Sequence, residues 1–290
     1  MHKIAFIGAG VMGREMIKNF LKRNVEVYFY TRTKEKALDL IDAGAVWCDS
    51  IKECISNANV IMTMVGFPED VRSVYLDDDG IVKNAAEGSY LIDMTTTEPE
   101  LVIKISEEAK KRNLHFMDAP VSGSDVKATD GTLTIMVGGS DQDFDTCYPI
   151  FECIGNTIIH EGPVGAGQHT KMANQIAISG AISGVCEALY YAKKAGLDET
   201  KTLITISSGA AGSFQMDNMA PKILDDDYEP GFFVKHFVKD MKIAVKEAEL
   251  HGAELPILQE VLKNYEELEK EGYGELGINA LYKLYDKDSE

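Results

Sequence analysis

Positive charge is scarce in this sequence: 29 lysines and arginines stand against 47 aspartates and glutamates, a formal net charge of −18. So acidic a surface repels nucleic-acid phosphates and anionic membranes over a Debye length or more, and neither is expected as a partner. Cysteine is scarce as well. The five thiols (Cys48, Cys54, Cys147, Cys153, Cys186) are odd in number and scattered, with no CxxC pair and no histidine at ligand spacing. That argues against a disulfide framework and a metal site, and reads as reduced, structural cysteines of a cytoplasmic protein. An export signal is not expected, because the apolar run that begins at Ile4 is broken by Gly8 and Gly10. Long hydrophobic runs are missing too. The fairly apolar stretch 172–192 carries Asn174, Gln175, Glu187 and several serines, whereas a bilayer span needs roughly 20 mostly apolar residues. Within it Gly180 and Gly184 make a GxxxG spacing, read as a mark of close helix packing. No internal repeat or low-complexity segment is visible.

What is present is the balance of a folded chain: 45% hydrophobic and 26% charged residues over 290 positions, long enough for two domains of ordinary size. The first half alternates short β-rich runs ("KIAFIG", "EVYFY", "NVIMTMV", "SYLIDM") with helical patterns over 11–22 and 98–112. Such alternation predicts an α/β domain with a parallel, doubly wound Rossmann-type sheet. "LTIMVGG" and "NTIIHEG" add two strands around a helix at 142–154. Past Gly167 helical patterns take over, at 168–195, 198–207, 213–224, 233–251 and 256–270, predicting an all-helical C-terminal domain. The glycine-rich "EGPVGAG" (161–167) marks the boundary, giving a dinucleotide-binding domain at 1–163 and a helical substrate and oligomerisation domain at 164–290, with the ligand expected in a cleft between them.

"GAGVMG" (Gly8, Gly10, Val11, Met12, Gly13) follows a strand and opens a helix, the context in which GxGxxG signals dinucleotide binding. A pyrophosphate there would lie on the helix N-terminus, where unpaired N–H groups and the helix dipole favour an anion. The second strand ends at "YTRT", without the acidic residue that an NAD site places near a ribose 2′-hydroxyl. Arg32, flanked by Thr31 and Thr33, suits a 2′-phosphate, so NADP is expected over NAD; the plainer account is a solvated surface arginine.

Four further stretches carry polar residues in suggestive places. "DMTTTEP" (93–99) puts threonines past a strand's carboxyl end. "DAPVSGSDVKATDGTLTIMVGG" (118–139) has a Ser122-Gly123 step suited to a small carboxylate. "GAGQHTKMANQ" (165–175) places Lys171 at the head of a segment otherwise built for burial, and "FVKDMKIA" (237–244) puts Lys239 and Asp240 early in a helix. Singly, these also read as capping threonines, a glycine turn, a lysine reaching water and an ordinary ion pair.

In this order, together with "GAGVMG" and "PGFFVKHFVKDMKIA", they resemble the β-hydroxyacid dehydrogenase family over nearly the whole chain. The resemblance implies an NAD(P)-dependent oxidoreductase that interconverts a small 3-hydroxy acid and its semialdehyde or oxo acid, as 3-hydroxyisobutyrate dehydrogenase does; tartronate semialdehyde, succinic semialdehyde and glyoxylate reduction are alternatives within it. It implies Lys171 as the catalytic lysine with Asn174 beside it, Ser122, Gly123 and the neighbouring Gln175 on the substrate, Thr95 near the nicotinamide ribose, and Lys239 toward the cofactor. A homodimer or homotetramer is a further expectation. Ser124 stands where the family commonly has a second glycine. His169 is assigned a structural role at a helix start. Ser208, Gly209, Ser213, Phe214 and Phe233 are candidates for the pocket that sizes the substrate. Outside enzymes, a redox sensor or interaction module that binds a dinucleotide is the competing class; retention of Lys171, Asn174 and Ser122 argues against it.

Overall fold

Ile4 and Phe6 of strand β1 (Lys3–Ile7) are buried in one apolar cluster, and Ala5 and Ile7 in another. Alternate side chains of a strand point to opposite faces, so β1 is sealed on both sides, which explains why it reads as an unbroken apolar run. The computed structural model describes residues 3–286. Within it the chain divides into two units, Met1–Lys171 and Met172–Glu290.

In the first unit, the described residues form one sheet from β1, β2 (Glu26–Tyr30), β3 (Val46–Trp47), β4 (Val60–Thr63), β5 (Tyr90–Asp93), β6 (His115–Asp118), β7 (Val121–Ser122), β8 (Leu133–Gly138) and β9 (Gly155–Gly162). The strand order is β3-β2-β1-β4-β5-β6-β8-β7, with β9 on the other edge of β8. From β3 to β6 every pairing is parallel. The order reverses between β1 and β4, and a doubly wound sheet opens its ligand crevice beyond the strand ends at such a reversal. The expected parallel sheet holds through β6. Beyond it β6 and β7 both run antiparallel to β8. The sequence reading also left out β3, β6 and β7; β3 and β7 are two residues each, too short to show a period.

Helices cover both faces. Val11–Lys22 turns Met16, Ile17 and Phe20 inward, against Phe6, Val27 and Phe29, and Pro99–Lys110 buries Leu101, Val102 and Ile105 on the opposite side. Each such side chain withdrawn from water contributes about 2 kcal/mol.

The second unit is helical. Its core gathers Val185, Leu189, Phe237, Met241, Val261, Tyr265 and Leu268 from the helices Ala166–Lys194, Val234–Leu250 and Pro256–Leu268. Phe237 and Tyr265 meet edge to face with ring centroids 5.1 Å apart. The buried Tyr265 hydroxyl donates to the Ile278 carbonyl at 2.6 Å, so no polar group is stranded there. The single helix expected over 213–224 is two, Phe214–Asn218 and Ala220–Leu224, because Pro221 has no N–H with which to continue the first. A Cβ built on Gly180 or Gly184 meets no atom within 4 Å, so close packing at these glycines is not found among the described residues. No described helix is long and apolar enough to cross a membrane, and all five cysteines are free thiols.

Candidate active site

The glycines of "GAGVMG" do three different things. Gly8 has φ +101° and donates its N–H to the Tyr30 carbonyl at 2.8 Å; a Cβ on it would sit 2.2 Å from the Met64 carbonyl oxygen. A Cβ on Gly13 would sit 2.2 Å from the Gly8 carbonyl oxygen and 3.1 Å from the Phe6 ring. Gly8 therefore permits the turn and Gly13 lets the helix lie on the strand, whereas a Cβ on Gly10 would meet nothing within 4 Å. Gly10 caps the helix Val11–Lys22 without a side-chain hydrogen bond, and no acidic residue lies in the first turn. The helix's leading N–H groups thus face an open cradle of positive potential, with Val11 exposed and Met12 half-buried beside it. This arrangement fits a dinucleotide pyrophosphate, and Gly8, Gly10 and Gly13 with the first helical turn are the residues that would hold it.

At the end of β2, Thr31 is half-buried and Thr33 exposed. The Arg32 side chain is 81% exposed and its Nη1 lies 3.1 Å from Asp70 Oδ1. The sequence reading missed Asp70, which stands 38 positions away and also accepts the Phe67 N–H at 3.2 Å. It missed Arg14 too, which reaches Asp39 and the Lys36 carbonyl.

Past β4 and β5 a buried network ties the loops together. Asp93 Oδ1 accepts from the Thr63 hydroxyl at 2.8 Å and the Thr95 N–H at 3.0 Å, and the Thr95 hydroxyl accepts the Val65 N–H at 3.0 Å. Thr95 is 1% exposed, so it fixes one loop against the other.

Ser122 ends β7, paired with Thr134 of β8. Gly123 follows with φ +141°, and a Cβ on it would lie 2.8 Å from two Lys127 side-chain carbons. Ser124 has φ +56°, left-handed backbone that glycine adopts without penalty and serine does not.

Lys171 is 7% exposed and lies in the second turn of Ala166–Lys194. That helix's start is gripped by a residue the sequence reading did not single out. Asp118, at the end of β6 and fully buried, accepts the Gly165 N–H on Oδ1 at 2.7 Å and the Gln168 N–H on Oδ2 at 2.8 Å. Burial pushes its carboxyl up to about 7, against the downward pull of those two donors. Gln168, also fully buried, donates to the Thr95 carbonyl at 2.7 Å and accepts the Thr97 N–H at 3.0 Å. An aspartate directly after "HFM" and ahead of "PVSG" is the sequence signal for a strand end. Nothing local connects it to a helix some fifty positions on. His169 is exposed, its N–H bonded to the Gly165 carbonyl at 3.0 Å.

Asn174 and Gln175 follow Lys171 by three and four positions on the same helix, a spacing that puts side chains on one face. Asn174 donates to Gln175 Oε1 at 2.8 Å, Gln175 donates to Asp240 Oδ2 at 2.6 Å, and Lys239 Nζ lies 2.9 Å from Asp240 Oδ1. Of the pocket candidates, Ser213 caps a helix through the Met216 N–H at 3.1 Å, Ser208, Gly209 and Phe214 are exposed, and Phe233 meets His236 edge to face. Among the described residues no group of three His, Cys, Asp or Glu side chains is placed to hold a metal ion.

Comparison with known proteins adds a second line of observation. A family model described as the NAD binding domain of 6-phosphogluconate dehydrogenase matches residues 3–162, and one described as NAD-binding of NADP-dependent 3-hydroxyisobutyrate dehydrogenase matches residues 165–285. The chain is 50% identical over 284 residues to the uncharacterized oxidoreductase YkwC of Bacillus subtilis, covering 98% of this chain and 99% of that one. It is 42% identical over 280 residues to a probable 3-hydroxyisobutyrate dehydrogenase-like protein of Arabidopsis thaliana, covering 96% and 84%. Among solved structures, the 3-hydroxyisobutyrate dehydrogenase of Mycobacterium tuberculosis, determined with L-serine, gives a TM-score of 0.89 at 26% identity and 99% coverage of both chains.

Proposed function

The chain belongs to the β-hydroxyacid dehydrogenase family and is an NAD(P)-binding oxidoreductase of the hydroxyacid dehydrogenase type; on that footing we propose that it interconverts a small 3-hydroxy acid and the matching semialdehyde or oxo acid, with Lys171 as general acid and base. The observation that carries this reading is the burial of Lys171, 7% exposed, at the head of a helix whose first turn is held to the sheet by Asp118. A lysine placed only for solubility would reach water; one withheld from it has a use for its proton.

The nicotinamide supplies or accepts the hydride when bound. The chain's own residues hold the partners and move one proton. In reduction the Lys171 ammonium donates to the carbonyl oxygen as charge develops there, and in oxidation the neutral amine accepts the hydroxyl proton. Ser122 and the Gly123 backbone take the substrate carboxylate, Asn174 orients the substrate while the fully buried Gln175 holds Asn174 in place from behind, and Thr95 and Lys239 serve the cofactor side. Residues 1–163 carry the cofactor and 164–290 the substrate and subunit contacts of a homodimer or homotetramer. NADP is preferred to NAD, supported by Arg32 and by the absence of an acidic residue at the end of β2.

Initial rates of NADPH and NADH oxidation against methylmalonate semialdehyde, tartronate semialdehyde, succinic semialdehyde and glyoxylate test the reading. Turnover with one of them, lost on Lys171→Ala while NADPH binding persists, is the expected result. No turnover with any, or full activity in Lys171→Ala, overturns it.

A further inference from the structure

We propose that Asp118 and Gln168 are positioning residues that set where Lys171 stands, an inference that rests on Lys171 being the proton donor. A helix's first turn leaves N–H groups unpaired, and a residue just ahead of it usually caps them. Here the cap comes from the sheet. Asp118 ends β6, 47 residues before Gly165 and 50 before Gln168, and it takes one N–H on each oxygen. A local cap would stabilise the helix equally well but would leave it free to shift against the strands, whereas a cap from β6 fixes the turn just before Lys171 relative to the sheet.

The surroundings are shaped around this carboxylate. A Cβ on Gly138 would lie 2.4 Å from Asp118 Oδ1, and one on Gly167 would lie 2.9 Å from Oδ2 and 2.3 Å from the Met136 carbonyl oxygen. Two glycines from separate segments therefore make the space. Gln168 supplies a second tether through Thr95 and Thr97, and Thr95 is itself bonded to Asp93 and Val65. Buried hydrogen bonds thus run without a break from the loops after β4 and β5 to the turn just before Lys171. Neither Asp118 nor Gln168 has exposed surface, so each acts through the lysine and not on the substrate.

The test compares Asp118→Asn, Gln168→Glu and Lys171→Ala at pH 8. Asparagine keeps the size but accepts with one oxygen, so one N–H loses its acceptor; glutamate at 168 keeps an acceptor for Thr97 but cannot donate to Thr95. NADPH binding is titrated by nucleotide fluorescence to count competent sites, and kcat per site is measured in H2O and D2O. Both positioning variants should bind NADPH within about twofold of the parent. They should lose roughly tenfold to a hundredfold in kcat per site, since small misplacements of a reacting group cost that much, and show a larger solvent isotope effect as proton transfer slows. Unchanged kcat per site and isotope effect with only a lower melting temperature would overturn the proposal and leave an ordinary structural cap. If Asp118→Asn fails to fold, Gln168→Glu decides alone. Full turnover in Lys171→Ala would instead remove the reading of the lysine, a distinct result.

Discussion

The side-chain amide of Gln175 donates to the carboxylate of Asp240 at 2.6 Å, with neither residue more than 1% exposed. Removing the acceptor strands a buried donor and takes the carboxylate away from Lys239. Asp240→Ala should therefore cost about 2 to 4 kcal/mol, whereas Asp240→Asn, which also gives up the charge beside Lys239 but keeps an oxygen for Gln175, should cost about 1 kcal/mol less. Urea denaturation followed by helical circular dichroism checks the ranking, and equal losses would show that the hydrogen bond contributes little.

Asp70 competes with any phosphate for the Arg32 guanidinium. Asp70→Asn should tighten NADPH binding several-fold and leave NADH binding unchanged. Arg32→Ala should weaken NADPH about tenfold or more, the worth of one charge-assisted contact. Fluorescence titrations with both nucleotides read the ratio directly; a ratio that Arg32→Ala leaves alone would make Arg32 a surface charge.

Ser124 occupies left-handed backbone and Gly123 a φ of +141° against the Lys127 side chain. Ser124→Gly should be neutral or stabilising by up to about 1 kcal/mol, the relieved strain being offset by glycine's greater freedom when unfolded. Gly123→Ala should destabilise by more than that. Paired melting curves distinguish the two, and a destabilising Ser124→Gly would contradict the backbone argument.

The carboxyl of Asp118 is raised in the folded protein to about 7 by burial, above its value in an unfolded chain. The folded state therefore holds the proton more tightly, and this group's contribution to stability is full below the unfolded value and lost as pH rises toward 7. Each unit between the two values is worth about 1.4 kcal/mol. Unfolding free energies measured from pH 5 to 8 should fall with pH more steeply in the parent than in Asp118→Asn, which has no proton to lose there. Parallel curves would count against a raised carboxyl.

The sealed strands β1, β4 and β5 were legible because burial on both faces leaves an unbroken apolar run, and β2 because buried Val27 and Phe29 alternate with half-buried tyrosines. The strands β3 and β7 were not, because two residues cannot display a pattern. Glycine spacing was informative at Gly8 and Gly13, where the following helix fixes the neighbours. At Gly180 and Gly184 it marks a helix face that no other described residue of the chain approaches within 4 Å of a Cβ. The partners of Lys171's helix and of Arg32 escaped the sequence for one reason. Asp118 and Asp70 lie dozens of positions away, and a cap or ion pair made across the fold leaves no local trace.

Four of the five thiols are buried, and burial raises the Cys54, Cys147 and Cys186 thiols, Cys147 to about 12. A thiolate is what alkylating reagents attack. Such a reagent added to the folded protein must wait for the backbone to open. Cys54 and Cys147 belong to one unit and Cys186 to the other, so the order in which they are labelled is a built-in clock of which half of the chain breathes first.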